Sequence, residues 1–380
     1  MSAPRVLVVH NRYRVAGGEE RAVALQLAAL RDARVTHAAL ERESSAAGNV
    51  RAARALLRGG ERPEDVAAAV RELGATVVHF HNLNPLFGPR SLRAARVAGA
   101  RVVLHLHNFR LFCSIAVAFR DGETCFRCHG RNTVPGLLLN CRGSLPESAV
   151  YTAALAIHQP ELIEAVDRFV TPSRFAAGQL ARLGLPADRL EVLANYVPEA
   201  PAAEPAGGTY ALVAGRLATE KGIGLAIEAA ARSGVPLRVA GDGPLEGELR
   251  ALAASSGASV EMLGRVPGER VAELLTGAAM VVVPSLGPEV MPFAALEAMA
   301  GGVPVVATRT GSLPEVVGEE RCVPRRDAGA LAAAMRRLWD DPELRRAEGG
   351  ALRERARERF SQELHARELL ALYERVQTQA

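Results

Sequence analysis

The sequence predicts an α/β protein built as two doubly wound, Rossmann-like domains facing across a cleft. Three observations predict it. Short Val/Leu-rich runs alternate with Ala/Leu/Arg-rich helical stretches through both halves, the pattern of a parallel sheet covered on both faces. A chain of 380 residues is long for one core. Between the halves, residues 197–208 hold three prolines and a glycine pair with no apolar period, which marks a linker. The expected division is 1–196, with an insertion at 111–144, the linker 197–208, and a second domain at 209–358. A terminal helix at 359–380 is expected to pack back toward the first domain.

The strands read in order from their apolar runs. In the first half they are expected at 5–10, 34–40, 76–81, 101–107, 168–171 and 190–193. In the second they are expected at 210–214, 237–240, 260–263, 280–284 and 303–307. No apolar stretch approaches the ~20 residues that cross a bilayer. The start, Met1-Ser2-Ala3-Pro4-Arg5, runs directly into a strand with no signal-peptide pattern, so a cytoplasmic location is expected. The net charge of +4 divides unevenly, +7 over residues 1–200 and −3 over 201–380. The basic half is suited to an anionic partner, such as a phospholipid surface or a phosphorylated acceptor, with solvated arginine helices the plain alternative. Aromatic content of 4% with no basic–aromatic patterning argues against nucleic acid.

Lys221 is the only lysine in a chain with 46 basic residues. It stands in Gly215-Arg216-Leu217-Ala218-Thr219-Glu220-Lys221-Gly222, between a strand and a helix. An Arg fork, a Lys point charge and a helix start together make a phosphate site. Further on, Glu289 and Glu297 lie eight apart where a strand turns through Gly287-Pro288 into a helix. Carboxylates at the C-terminal end of such a strand can grip the hydroxyls of a sugar and a ribose.

These segments resemble the nucleotide-sugar-binding domain of glycosyltransferase family 4, retaining enzymes of the GT-B fold. The resemblance rests on G-R-L-x-x-E-K-G at 215–222, G-D-G-P at 241–244, L-G-R-V at 263–266, E-x(7)-E at 289–297, G-G-V-P-V-V at 301–306 and G-x-L-P-E at 311–315. It implies that Arg216 and Lys221 bind the donor diphosphate. It implies that Glu289, with the amides of Val290, Met291, Pro292 and Phe293, holds the donor sugar, and that Glu297 takes the ribose hydroxyls. Gly241, Asp242, Gly243 and Arg265 are placed near the base. Val290-Met291-Pro292 departs from the family's usual Gly-Phe-Gly or Gly-Phe-Pro, a departure that bears on sugar preference.

Five of nine histidines (His10, His79, His81, His105 and His107) fall at expected C-terminal strand ends. Residues 77–86, 103–113 and Ala16-Gly17-Gly18-Glu19 resemble the acceptor-side domain of the same family. That resemblance places His107 at the donor sugar near the reacting carbon. It also brings the backbone of Gly17 and Gly18 close to the diphosphate, where a side chain would obstruct.

Cys113, Cys125, Cys128 and Cys141 fall within 29 residues, and Cys125-Phe126-Arg127-Cys128-His129-Gly130 is a C-x-x-C knuckle. Four thiolates, or three with His129, could close a structural zinc site; free buried thiols are the other reading.

The resulting expectation is a retaining glycosyltransferase whose catalysis requires no cofactor. It would move a sugar from a nucleoside-diphosphate sugar to an acceptor hydroxyl in glycan, glycolipid or secondary-metabolite biosynthesis. Uridine is the expected base and guanosine the alternative. A nucleotide-sugar epimerase of the same fold and a zinc hydrolase using the two His-x-His pairs are the rival readings.

Overall fold

A computed structural model of the protein describes residues 3–14, 17–200 and 202–378; Met1, Ser2, Ala16 and Pro201, named above, lie outside them. The chain forms two compact units. The first comprises Met1–Ala118, Cys125–Asn195 and Gln362–Ala380, and the second Phe119–Thr124 and Tyr196–Ser361.

The first unit is built on a parallel sheet of β1 (Arg5–Arg12), β2 (Thr36–Glu43), β3 (Val77–Phe80), β4 (Arg101–His105), β7 (Arg168–Thr171) and β8 (Leu190–Val192), in the order β2-β1-β3-β4-β7-β8. Val6, Val8, Val77, Val103 and Val170 share one core cluster with Leu369, Leu372 and Tyr373 of the terminal helix Gln362–Thr378. β2 begins two residues later than its apolar run suggests, because Arg34 turns with φ 56 and ends the preceding helix connection. β3 and β4 end at Phe80 and His105, so His81 and His107 stand beyond the strands and not within them.

The second unit holds β9 (Tyr210–Ala214), β10 (Leu237–Ala240), β11 (Val260–Gly264), β12 (Ala278–Val283), β13 (Val305–Thr308) and β14 (Cys322–Val323), ordered β11-β10-β9-β12-β13-β14 and all parallel. Sequential strands run outward from β9 in one direction, then resume on its other side with β12. That reversal creates a crevice at the C-terminal ends of β9 and β12, where open α/β sheets bind ligands. In the first sheet the reversal falls between β1 and β3.

The insertion expected at 111–144 is divided. Its hairpin of β5 (Phe119–Arg120) and β6 (Glu123–Thr124) belongs to the second unit, where Glu123 pairs with Arg325 and Arg326 at 2.8 and 2.6 Å. The linker is anchored from within the second unit. Arg345, buried in the helix Pro342–Phe360, donates to the carbonyls of Pro205 (2.7 Å) and Ala206 (2.5 Å). Among the described residues, no helix is long and apolar enough to cross a membrane.

Candidate functional site

In the second unit, the loops leaving β9 and β12 lie against each other. The amides of Leu286 and Gly287 both donate to the carbonyl of Glu220, at 2.8 and 2.9 Å. This brings Lys221 to Glu289: Nζ donates to Oε1 at 2.7 Å, and Ser285 Oγ donates to the same oxygen at 2.5 Å. The lysine is about a quarter exposed (29%) and the glutamate nearly covered (12%), so the pair is partly shielded from solvent. Arg216 is exposed and pairs with Glu220, one turn on in the same loop. A cation pair thus stands at the switch point, each member held by a neighbouring carboxylate.

A third segment fixes Glu289 from behind. Gly311 has φ 58, and a Cβ there would come 2.2 and 2.3 Å from the backbone O and N of Glu289. Ser312 N donates to Glu289 O at 2.8 Å, Thr310 Oγ1 to Gly287 O at 3.1 Å, and Thr308 Oγ1 to Ser285 O at 2.5 Å. Ser285, Thr308, Thr310 and Gly311 are thus parts of the site that sequence reasoning did not assign. Only the Gly-x-Leu-Pro-Glu run at 311–315 hinted at them.

Gly241 approaches so closely that a Cβ would lie 1.9 Å from Gly215 O, which packs the loop after β10 onto the loop after β9. Asp242 pairs with Arg265 at 2.8 Å, and both are about half exposed. Gly243 lies on the same loop, against Leu217. Glu297 is partly buried one turn into the helix Phe293–Gly301. Val290 and Met291 are buried before that helix. One expectation needs correction here. Pro292, at the helix N-cap, has no N–H, so the expected row of amides is reduced to Val290, Met291 and Phe293.

The first unit gathers the histidines into a column. Ring centroids are 4.8 Å apart for His79–His81, 5.1 Å for His81–His107 and 4.0 Å for His105–His107, with interplanar angles of 9–17°. His10 meets His81 edge-on at 6.2 Å. His81 Nδ1 and His107 Nε2 are 2.8 Å apart, so a single proton sits between them. His79 Nδ1 lies 2.8 Å from Tyr373 Oη and 3.0 Å from Gln26 Nε2. Burial holds His79 and His107 down to about 3, helped by His107 and His365 for the first and His10 for the second. Burial also holds His81 and His105 well below the usual histidine range. His79, His81, His105 and His107 are therefore neutral at pH 7.

His81, His105 and His107 floor an open pocket. Glu19, Asn108 and Arg110 line its polar side, and Phe87, Leu104, Leu155 and Leu162 its apolar side. Tyr13 Oη and Asn108 Nδ2 donate to Glu19 Oε2 at 2.7 and 3.2 Å. Gly17 N–H donates to Glu20 Oε2 at 2.7 Å, its φ of −145 is ordinary, and a Cβ would meet nothing nearer than 3.8 Å. Gly17 is thus part of a capping arrangement for the helix Gly18–Asp32.

Among the described residues, the group of three His, Cys, Asp or Glu ligand atoms lying within 4.8 Å of one another is His79, His81 and His105. Imidazole lone pairs lie in the ring plane, and near-parallel stacked rings aim them along parallel lines instead of at one point. This stacking disfavours the hydrolase reading. Cys113, Cys125, Cys128 and Cys141 are partly buried free thiols, and among the described residues they do not form such a group. Asp340 pairs with Arg336, and Asp341 caps the following helix.

Residues 3–196 match the family described as glycosyl transferase 4-like domain, and residues 199–359 that described as glycosyl transferases group 1. The chain is 33% identical over 239 residues to WcaL of Escherichia coli K12, named as a colanic acid biosynthesis glycosyltransferase; the match covers 56% of this chain and 57% of that protein. It is 42% identical over 111 residues to an MMP α-(1→4)-mannosyltransferase of Mycolicibacterium hassiacum, covering 28% and 27%. The chain thus spans little more than half the length of one relative and about a quarter of the other. HepE of Anabaena, in complex with UDP, superposes with a TM-score of 0.68 at 15% identity, covering 98% of this chain and 100% of that one. Sucrose-phosphate synthase of Thermosynechococcus elongatus superposes with a TM-score of 0.72 at 19% identity, covering 98% and 99%. The fold is the two-domain architecture these structures share.

Proposed function

Since the chain belongs to the glycosyl transferase 4-like family and carries a group 1 domain, we propose that it transfers a sugar from a nucleoside-diphosphate sugar to an acceptor hydroxyl with retention of anomeric configuration. The observation that carries this reading is the meeting of Lys221 and Glu289 at the switch point of the second sheet, with Arg216 on the same loop. Lys221 and Arg216 neutralise the departing diphosphate, the work a divalent metal performs in other transferases. Glu289 holds the sugar hydroxyls and Glu297 the ribose. The neutral His107 stabilises the oxocarbenium-like carbon by its dipole. The bond from the anomeric carbon to the phosphate oxygen breaks. The acceptor oxygen bonds to that carbon on the same face, and its proton passes to the leaving phosphate oxygen.

Uridine is the proposed base, supported by the UDP bound to HepE; guanosine is the alternative, since another relative is named as a GDP-mannose-dependent mannosyltransferase. The acceptor is proposed to be a growing glycan, in keeping with WcaL. The proposed setting is the cytoplasm, with the arginine-rich first half facing anionic lipid. Proton NMR of the product decides the stereochemical claim. An α-linked product from an α-linked donor supports it, and an inverted product refutes it. Consumption of donor without acceptor, giving an isomeric nucleotide sugar, would indicate the epimerase instead.

A further inference from the structure

The segment from Arg120 to Ser144 has little to hold it. Thr133 and Gly136 are its only fully buried residues, and its apolar Val134 and Leu138 are exposed. It nevertheless follows a demanding path. Of the seven non-glycine residues with positive φ among the described residues, Ala116, Ala118, Asp121 and Asn140 lie in or just before it. Such backbone persists only where something else over-determines it.

What converges there is sulfur. The amides of Ala118, Ile115 and Ala116 point at the Cys113 thiol, and Cys125 N donates to Ala118 O at 2.8 Å. The amide of Gly136 points at the Cys128 thiol, and Cys141 N donates to Gly136 O at 3.0 Å. A Cβ on Gly136 would lie 2.9 Å from Thr152 Cγ2, so the glycine lets this turn pack against the helix that follows, with Cys128 Sγ in ordinary contact at 3.6 Å. Cys113 and Cys125 therefore meet at Ala118, and Cys128 and Cys141 at Gly136. Amides aimed at sulfur favour the thiolate, the form that binds metal. His129 is exposed, with Nδ1 turned to Arg127 O at 3.1 Å, which leaves four sulfurs as the donor set.

We propose that Cys113, Cys125, Cys128 and Cys141 bind one structural zinc ion that holds the 111–144 segment in place. A set of four soft thiolates suits a tetrahedral zinc site. Among the described residues the four sulfurs do not already form a metal-ligating group, so binding draws them inward from their two anchor points. The zinc would steady Arg110 and Leu111, which line the pocket immediately before Cys113. It takes no part in sugar transfer.

The test uses full-length protein purified without a histidine tag, with metals measured by plasma mass spectrometry. About one zinc per chain is expected. Displacement by a mercurial should release that zinc as four thiols are titrated, and Cys322→Ser should keep it. Cys125→Ser and Cys128→Ser should each lose at least tenfold in zinc content. If those variants do not fold, the release stoichiometry of the wild-type protein decides. Chelation should open residues 120–144 to protease while the nucleoside-diphosphate melting shift persists. Zinc-free protein with four thiols reacting freely would overturn the proposal, as would iron with visible charge-transfer absorption. None of these readouts depends on sugar transfer.

Discussion

Gly311→Ala tests whether Glu289 is held from behind as described. A Cβ at position 311 would lie 2.2 Å from Glu289 O and 2.3 Å from Glu289 N, both backbone atoms with no rotamer to escape into. Restoring ordinary contact requires the Glu289 segment to move by about 1 Å. The left-handed φ of 58 adds roughly 1–2 kcal/mol for any residue with a Cβ. For a domain this size each kcal/mol lowers the melting temperature by about 2–4 °C, so a fall of about 2–8 °C is expected. A 1 Å displacement of a group at the reacting sugar costs about 10²-fold in turnover. Nucleoside-diphosphate affinity should fall less than turnover, because Arg216 is held by Glu220 and only Lys221 is bonded to Glu289. Gly350→Ala is the control: it lies in the helix Pro342–Phe360 with nothing within 4 Å, and should stabilise slightly. Calorimetric melting, initial rates and nucleotide titration read the three effects. Wild-type melting and turnover in Gly311→Ala would refute the reasoning.

Lys221→Arg keeps the charge and the pairing with Glu289 but replaces a point charge with a planar fork; turnover should fall with melting unchanged, and wild-type rates would make the lone lysine an accident of composition. His107→Ala should lower turnover far more than nucleotide affinity, whereas Glu297→Ala should weaken nucleotide binding by roughly 1.5–3 kcal/mol through lost charged hydrogen bonds; equal losses of affinity in a titration of both would overturn their assignment. Acid should destabilise the first unit. His79 and His107 titrate near 3 when folded and near 6.5 when unfolded, so the unfolded chain gains protons first. Their stabilisation is complete above pH 6.5 and is lost as pH falls toward 3, at about 1.4 kcal/mol per pH unit for each ring. Guanidinium midpoints at pH 7, 6 and 5.5 should fall in order, and a flat profile would contradict a neutral histidine column.

Much of the fold was readable from the apolar runs. Each of the eleven expected strands overlaps an observed one, because runs such as 210–214 and 77–80 are buried on both faces and carry their signal in composition alone. β5, β6 and β14 are two residues long, too short for any periodicity to appear. The strand order was beyond reach, since pairing β9 with both β10 and β12 is a long-range choice that no local pattern encodes. The chemistry-bearing residues were legible by type: a lone lysine, two glutamates and a row of histidines. Their partners were not. Nothing in the spacing links Lys221 to Glu289, 68 residues away, or aims Gly311 at the Glu289 backbone. The bond from Gly17 N–H to the Glu20 carboxylate was equally out of reach of sequence reading.

The most direct test of the central claim is nucleoside-diphosphate binding at the Lys221–Glu289 pair. Melting curves with UDP, GDP, ADP and dTDP, followed by calorimetric titration of whichever binds, measure it on wild-type and Lys221→Ala protein. A ligand at 100 times its dissociation constant stabilises by about 2.7 kcal/mol, a shift well above noise. UDP is expected to bind, with at least a tenfold weaker dissociation constant once Lys221 is removed. No shift with any of the four, or equal affinity in Lys221→Ala, would contradict the claim.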